Sequence, residues 1–207
     1  MKHPSFLVPL LGLLVGACSA RTPNPVDAAS ILGGQAGSVC PAGRKLAGSG
    51  ACIVDFGAQC KLEGVAFSPY TQGQSPLTNT VVSAVQIQKR LELVADATRG
   101  IRTYSTQSGL AATCRIAREL GLGFDQGIWL GTDPVANDKE ISAFVEIART
   151  CQMDFVIVGN EALWRKDLTL SDLVASIARV RNAVPAGVRI TTAEVWKTWL
   201  DYPALVD

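Results

Sequence analysis

Asn160 and Glu161 are the residues whose position most favours chemistry, because they close an apolar run over 154–161 that is typical of a buried strand. A strand of a parallel sheet that is covered on both faces is expected to be continuously apolar, so a carboxylate at its end needs a reason. The mouth of a β/α barrel supplies one, since the carboxyl ends of the strands line a cleft there. The alternative is an ordinary strand-end acid that caps the next helix or pairs with Arg165.

Four other predicted strands also carry polar or aromatic side chains at or just past their carboxyl ends. These side chains are Ser68 and Tyr70, Arg102 and Tyr104, Gln126 and Trp129, and Glu194 and Trp196. Each alone is more often a solvated loop residue, but the repetition indicates one shared mouth. Aromatic faces, carboxylates, amides and an arginine suit sugars, whose C–H faces stack on rings and whose hydroxyls need donors and acceptors.

Strands and helices that alternate from Lys61 onward would position these residues. The predicted strands cover 64–68, 100–104, 122–129, 155–158 and 188–194. The helices between them include one over 80–97, one that stops at Gly121 as a C-terminal glycine cap, and one that starts at a Ser171 cap. This alternation is typical of βαβ units and a parallel sheet. We predict an α/β fold of the (β/α)8 TIM-barrel type, of which about the first five βα units are present.

Composition and missing motifs exclude several classes of protein. The 207 residues are 48% hydrophobic, enough for one sizeable core but fewer than the ~250 residues of a complete barrel. The 19 basic and 18 acidic residues form no basic run, which argues against nucleic acid or an anionic membrane surface as a partner. No GxGxxG motif or phosphate-binding loop is present. We therefore expect a neutral partner and no cofactor.

Residues 1–18 have the pattern of a lipoprotein-type signal peptide. A short positive start precedes an apolar stretch from Phe6 to Ala17 that is too short to span a bilayer. The small residues before Cys18 resemble a bacterial lipobox, which predicts cleavage there and a lipidated Cys18; Ser19 fits sorting to the outer membrane. The alternative is a plain secretory signal cut near Ala17 or Ala20. Both predict export, with an outer-membrane or periplasm-facing lipoprotein favoured.

The segments between the signal and the predicted barrel differ in composition. Residues 19–39 are rich in small residues and proline without periodicity, which predicts a flexible tether. Residues 40–60 hold Cys40, Cys52 and Cys60, which predict a disulfide-linked segment in an oxidising compartment. No CxxC spacing favours a metal site, and pairing of Cys114 with Cys151 between helices is left open. The predicted barrel domain covers 61–207.

Three motifs carry a resemblance to a known family: GVAFSPY at 64–70, IRTY at 101–104 and VGNEAL at 158–163. They resemble the first, second and fourth strand motifs of glycoside hydrolase family 17, in particular its bacterial branch of β-1,3-glucanases and β-glucan glucanosyltransferases. The similarity extends over about 62–207, and the VGNE strand is its most specific part. TTAEVW at 191–196 also resembles the fifth-strand region of bacterial members.

The resemblance implies a retaining β-glucan hydrolase or transglycosylase, with Glu161 as the general acid/base. Asn160 would bond the sugar hydroxyl beside the reacting carbon. Arg102 and Tyr104 would form the glucose-binding floor and support the catalytic carboxylate. The other substrate contacts that we predict are Tyr70, Trp129, Glu194 and Trp196.

The chain departs from the family in one respect. The family nucleophile is a second glutamate at the end of the seventh strand, whereas this sequence stops at Asp207, before a sixth strand. We therefore expect a truncated enzyme that is inactive alone. Glu194 is disfavoured as a substitute nucleophile, because the family pattern places it among substrate contacts. The alternative is a non-catalytic, carbohydrate-binding surface lipoprotein that keeps the sugar-binding strand ends.

A first prediction concerns export. Because the apolar stretch ends at Cys18, the mature protein is expected to begin at a lipid-modified Cys18 and to fractionate with membranes. Intact mass spectrometry of the membrane fraction checks this, and a water-soluble product that starts at Ser19 or later would contradict it.

Overall fold

The computed structural model describes residues 40, 44–47, 50, 52–54, 61–78, 80–185 and 187–206. The predicted signal peptide and tether, with Cys18, lie outside the described residues, as does Cys60. Within the described part, no helix combines the length and apolar character that a membrane span requires.

A short hairpin precedes the main sheet. β1 (Arg44–Leu46) pairs antiparallel with β2 (Cys52–Val54), and a disulfide joins Cys40 to Cys52. An ion pair between Lys45 and Asp96 attaches the hairpin to the rest of the molecule. The predicted disulfide linkage in this segment is thus confirmed for one pair.

Five parallel strands form the main sheet, as the alternating pattern predicts. They are β3 (Val65–Ala66), β4 (Gly100–Arg102), β5 (Gly123–Ile128), β6 (Phe155–Asn160) and β7 (Arg189–Ala193). Their order in the sheet follows the chain, and neighbours pair in parallel. Parallel pairing requires a crossover after each strand, which the helices provide. The predicted parallel α/β architecture is confirmed, and among the described residues the sheet is open with β3 and β7 at its edges.

The helices follow the strands in the predicted order. They are α1 (Ala84–Val94), α2 (Thr113–Glu119), α3 (Pro134–Thr150), α4 (Leu170–Ala183) and α5 (Trp196–Asp201). Gly121 has a φ of 73° after α2, which confirms it as the predicted C-terminal glycine. The predicted Ser171 cap is wrong. Thr169 caps α4, because its side chain accepts from the Asp172 amide while Asp172 bonds back in a capping box.

The core lies between the sheet and the helices. Its largest fully buried side chains include Phe124 on β5, Val156 on β6, Ile87 on α1, Phe144 on α3 and Leu173 on α4. Burial of both faces explains why β5 and β6 are almost entirely buried along their length.

A second disulfide joins Cys114 on α2 to Cys151, the C-cap of α3. The two Cα atoms are 6.2 Å apart and the cysteines are 37 residues apart in sequence. The bond thus closes a loop that contains β5 and α3.

Removal of this disulfide is expected to destabilise the fold. The double variant Cys114→Ala/Cys151→Ala should lose about 2–4 kcal/mol in free energy of unfolding, because an open loop of this length gains entropy in the unfolded state. Urea denaturation measures the effect. Cys40→Ala/Cys52→Ala is the comparison. It should lose less free energy of unfolding, because the disulfide that it removes joins cysteines only 12 residues apart. Equal midpoints for wild type and the first variant would contradict the prediction.

Candidate active site

The carboxyl ends of β4 and β6 meet through one hydrogen bond. Arg102 Nη2 donates to Asn160 Oδ1 over 2.7 Å, and the Arg102 guanidinium lies 4.7 Å from the centre of the Tyr104 ring. Because β5 lies between β4 and β6, the arginine side chain reaches across a whole strand. The structure thus brings together three of the residues that the sequence predicts at the mouth.

Glu161 occupies a left-handed turn directly after β6. Its φ is 55°, and Gly159 before it has a φ of 76°. The left-handed region costs a non-glycine residue on the order of 1–3 kcal/mol and persists only where neighbouring structure enforces it. Here the Glu161 amide donates to the Ala193 carbonyl over 2.6 Å, beside an irregularity in the pairing of β6 with β7. Such local strain is typical of functional sites.

The structure excludes the ordinary structural roles for Glu161. Arg165 forms its ion pair with Asp167, at 2.7 Å between Nε and Oδ2, and Thr169 caps the following helix. Among the residues that the structure describes, none donates a hydrogen bond to the half-buried Glu161 carboxylate. The carboxylate therefore remains available to a ligand.

Arg165 instead fixes Trp129. Its guanidinium lies 4.3 Å from the centre of the indole, while Nη2 donates to Leu130 O over 2.9 Å and Nη1 donates to Asn160 O. These contacts tie the end of β5 to the end of β6. The indole remains 40% exposed, so a ring that suits sugar stacking is held close to Asn160.

Glu194, just past β7, binds the backbone that follows Glu161. Its Oε1 accepts from the Leu163 amide over 2.9 Å, and its Oε2 accepts from the Trp164 amide over 3.3 Å. The indole of Trp199 donates to the Glu194 carbonyl over 3.1 Å. Both carboxylate oxygens of Glu194 thus already bond protein.

A buried polar cluster supports the loop that carries Tyr104. Gln126 on β5 donates to Thr103 Oγ1 over 3.0 Å and to Ser105 O over 3.2 Å. The Glu140 carboxylate on α3 accepts from the Ser105 hydroxyl, and from the amide and hydroxyl of Thr106 over 2.8 and 2.7 Å. Gln126, which the sequence suggests as a strand-end group, is buried within β5.

Sequence reasoning missed Glu140, although its position carried a signal. It lies one turn before Phe144 and directly before Ile141, on the apolar stripe of α3, where an acid needs partners. Burial raises the pKa of the Glu140 carboxyl, while hydrogen bonds from Ser105 and Thr106 oppose that rise.

Gly127 on β5 permits the close approach of the Tyr104 loop. A Cβ atom at this position would lie 2.3 Å from Thr103 O and 2.6 Å from the Tyr104 Cα atom. Any other residue would push the end of β4 away, so the position of Tyr104 depends on this glycine.

Tyr70 and Trp196 stand apart from this arrangement. Tyr70 packs against the core, and its buried hydroxyl has no hydrogen-bond partner among the described residues. Trp196 begins α5 and is 74% exposed. Neither forms a hydrogen bond or ring contact with the other predicted site residues in the described part of the chain, so their contact with substrate stays a prediction.

The sequence places this fold in a family of glycoside hydrolase domains. Residues 64–207 match the family model of the BtgE/BtgC glycoside hydrolase domain, and the chain belongs to this family. A comparison with curated proteins found no match.

A solved structure supports the fold. The chain is similar to an active-site mutant of a β-1,3-glucanosyltransferase from Rhizomucor miehei in complex with laminaritriose, with a TM-score of 0.57 and 22% sequence identity. The match covers 67% of this chain and 51% of the other chain, so the chain spans about half the length of that neighbour. At this identity the likeness establishes the fold alone.

Replacement of Glu140 tests the buried cluster through pH. Because the native pKa of Glu140 lies above its ordinary value of 4.5, stability that is present below that value is lost as pH rises through the native pKa. Glu140→Gln cannot ionise, so its free energy of unfolding relative to wild type should rise as pH increases from 4.5 through the native pKa of Glu140. Urea denaturation across this range measures the difference.

Glu146→Gln is the matched control for this experiment, because Glu146 is an exposed acid on the same helix that pairs with Arg149. The free energy of unfolding of Glu146→Gln should change with pH in nearly the same way as that of wild type. A Glu140→Gln variant that also ran parallel to wild type would show that Glu140 is not buried as an acid.

Proposed function

We propose that the chain carries the acid/base part of a retaining β-1,3-glucan hydrolase or glucanosyltransferase of glycoside hydrolase family 17, built on a β/α barrel. The observation that carries the proposal is the Asn160–Glu161 pair at the end of β6. Arg102 bonds the Asn160 side-chain amide, and no described residue pairs with the neighbouring Glu161 carboxylate. Membership of the BtgE/BtgC glycoside hydrolase family and the fold of a β-1,3-glucanosyltransferase support it.

Glu161 is assigned the proton transfers. Protonated, it gives its proton to the glycosidic oxygen as the bond to the leaving sugar breaks; ionised, it takes a proton from the incoming water or sugar hydroxyl. A retaining mechanism also needs a carboxylate nucleophile about 5–5.5 Å from the acid. We assign that role to no described residue.

Asn160 is assigned the sugar hydroxyl beside the reacting carbon. Since its Oδ1 accepts from Arg102 over 2.7 Å, its Nδ2 amide is left as a donor. Arg102 therefore fixes which end of the amide meets the substrate. An Arg102→Lys substitution would remove the fixed geometry of the guanidinium.

Aromatic side chains supply the sugar-binding surface. Tyr104 is 38% exposed and Trp129 is 40% exposed, and each ring stacks on an arginine of the site. We assign these two rings to glucose units near Glu161, and Tyr70 and Trp196 to further units. The substrate is a neutral β-glucan, met outside the cytoplasm by a protein that is exported and anchored through Cys18.

The test is Glu161→Gln in the full-length protein. Glutamine keeps the shape but removes the proton donor, so cleavage of β-1,3-glucan should slow by about 10²–10⁴-fold. An activated aryl glucoside has a leaving group that needs less protonation, so its glycosylation step should slow less. Initial rates and pre-steady-state bursts measure the two effects.

Glu63→Gln is the control, because Glu63 is an exposed acid that pairs with Arg99 before β3, at the opposite end of the sheet. It should keep wild-type rates. Equal losses on glucan and aryl glucoside for Glu161→Gln would contradict the acid role. Wild-type and Glu161→Gln proteins that bind laminaritriose equally, neither cleaving glucan, would favour a carbohydrate-binding lipoprotein instead.

A further inference from the structure

We propose that Glu194 is a positioning residue that holds Glu161 in its left-handed turn, rather than a sugar contact or a nucleophile. The inference rests on the proposed acid role of Glu161 and extends it to the neighbouring strand. Its basis is that the end of β7 binds the turn after β6 at three points.

The three points lie on consecutive residues of one strand end. The Ala193 carbonyl accepts from the Glu161 amide over 2.6 Å. The next residue, Glu194, accepts from the amides of Leu163 and Trp164 over 2.9 and 3.3 Å. The segment that begins at the acid is thus fixed at its first, third and fourth residues.

A carboxylate suits this position because the turn leaves two amides to satisfy. Within the turn, Arg165 N donates to Glu161 O over 2.8 Å and Lys166 N donates to Leu163 O over 3.0 Å. These bonds leave the amides of Leu163 and Trp164 without an acceptor inside the turn, as at the start of any helical turn. Two oxygens on one ionised group serve both amides, with stronger bonds than neutral acceptors give.

Glu194 is itself held in place. It is half-buried, and the Trp199 indole donates to its carbonyl over 3.1 Å. Both carboxylate oxygens of Glu194 are directed at backbone amides, so neither is oriented to attack a sugar carbon. The same contacts oppose relaxation of Glu161 from its φ of 55°, a conformation that only surrounding structure maintains.

Glu194→Ala in the full-length protein should therefore impair the acid without weakening substrate binding. A displacement of about 1 Å in a catalytic group can cost about 10²-fold in rate, so kcat on β-1,3-glucan should fall about 10²-fold with KM almost unchanged. The glycosylation step of an activated aryl glucoside should fall less, as in Glu161→Gln, because it depends less on the acid.

A double variant makes the coupling measurable. If Glu194 acts through Glu161, Glu161→Gln/Glu194→Ala should be no slower on glucan than Glu161→Gln alone. Asp201→Asn on α5 is the matched control, since this exposed acid pairs with Lys197, and should keep wild-type kinetics.

Glu194→Gln guards against a folding defect. It keeps one carbonyl acceptor but places a donor near the second amide, so its rate should lie between wild type and Glu194→Ala. Hydrogen exchange at the Leu163 and Trp164 amides should be faster than in wild type. Unchanged exchange in Glu194→Gln would overturn the proposal even if the alanine variant did not fold.

Other outcomes also discriminate. A raised KM with unchanged kcat would make Glu194 a sugar contact, and azide rescue of Glu194→Ala would make it the nucleophile; both overturn the proposal. Multiplied losses in the double variant would do the same. Normal Glu161→Gln activity would defeat the proposed function itself, whereas an impaired Glu161→Gln beside a normal Glu194→Ala would defeat this inference alone.

Discussion

Parallel pairing of β6 with β5 on one side and β7 on the other is the constraint on which the site depends. It places the carboxyl ends of three strands at one edge of the sheet, so groups far apart in sequence become neighbours. The burial of β6 on both faces fixes where its polar residues begin. The left-handed turn at Glu161 is possible because β7 receives its amide.

Most polar side chains at the carboxyl ends of the strands hold other groups in position. Arg102 orients Asn160, Arg165 supports Trp129, and Glu194 binds the turn after Glu161. Glu140 and Gln126 likewise hold the loop that carries Tyr104 through hydrogen bonds. Side chains held in this way are in position before a ligand binds, which reduces the reorganisation that binding requires. The one acid of this edge without a protein partner is Glu161, among the residues that the structure describes.

The arrangement has local energetic costs that the sheet offsets. A left-handed glutamate costs on the order of 1–3 kcal/mol, and a carboxyl group buried on α3 is costly unless it is hydrogen-bonded. Charge-assisted hydrogen bonds and the packing of β5 and β6 outweigh these terms.

The sequence by itself determined the order of strands and helices, the parallel sheet and the strand-end position of Asn160 and Glu161. Periodicity and burial are local signals, so a pattern of side chains is enough to reveal them. The cap of α4 was misplaced by two residues, because Thr169 and Ser171 have similar capping propensity and backbone geometry chooses between them. Tertiary structure alone decided three contacts. Arg102 bonds Asn160 across β5, the Arg165 guanidinium packs on Trp129 rather than pairing with Glu161, and Glu194 binds the turn that follows Glu161. Those contacts join residues 31 to 58 positions apart, and their distances depend on how neighbouring strands align, which no local pattern encodes.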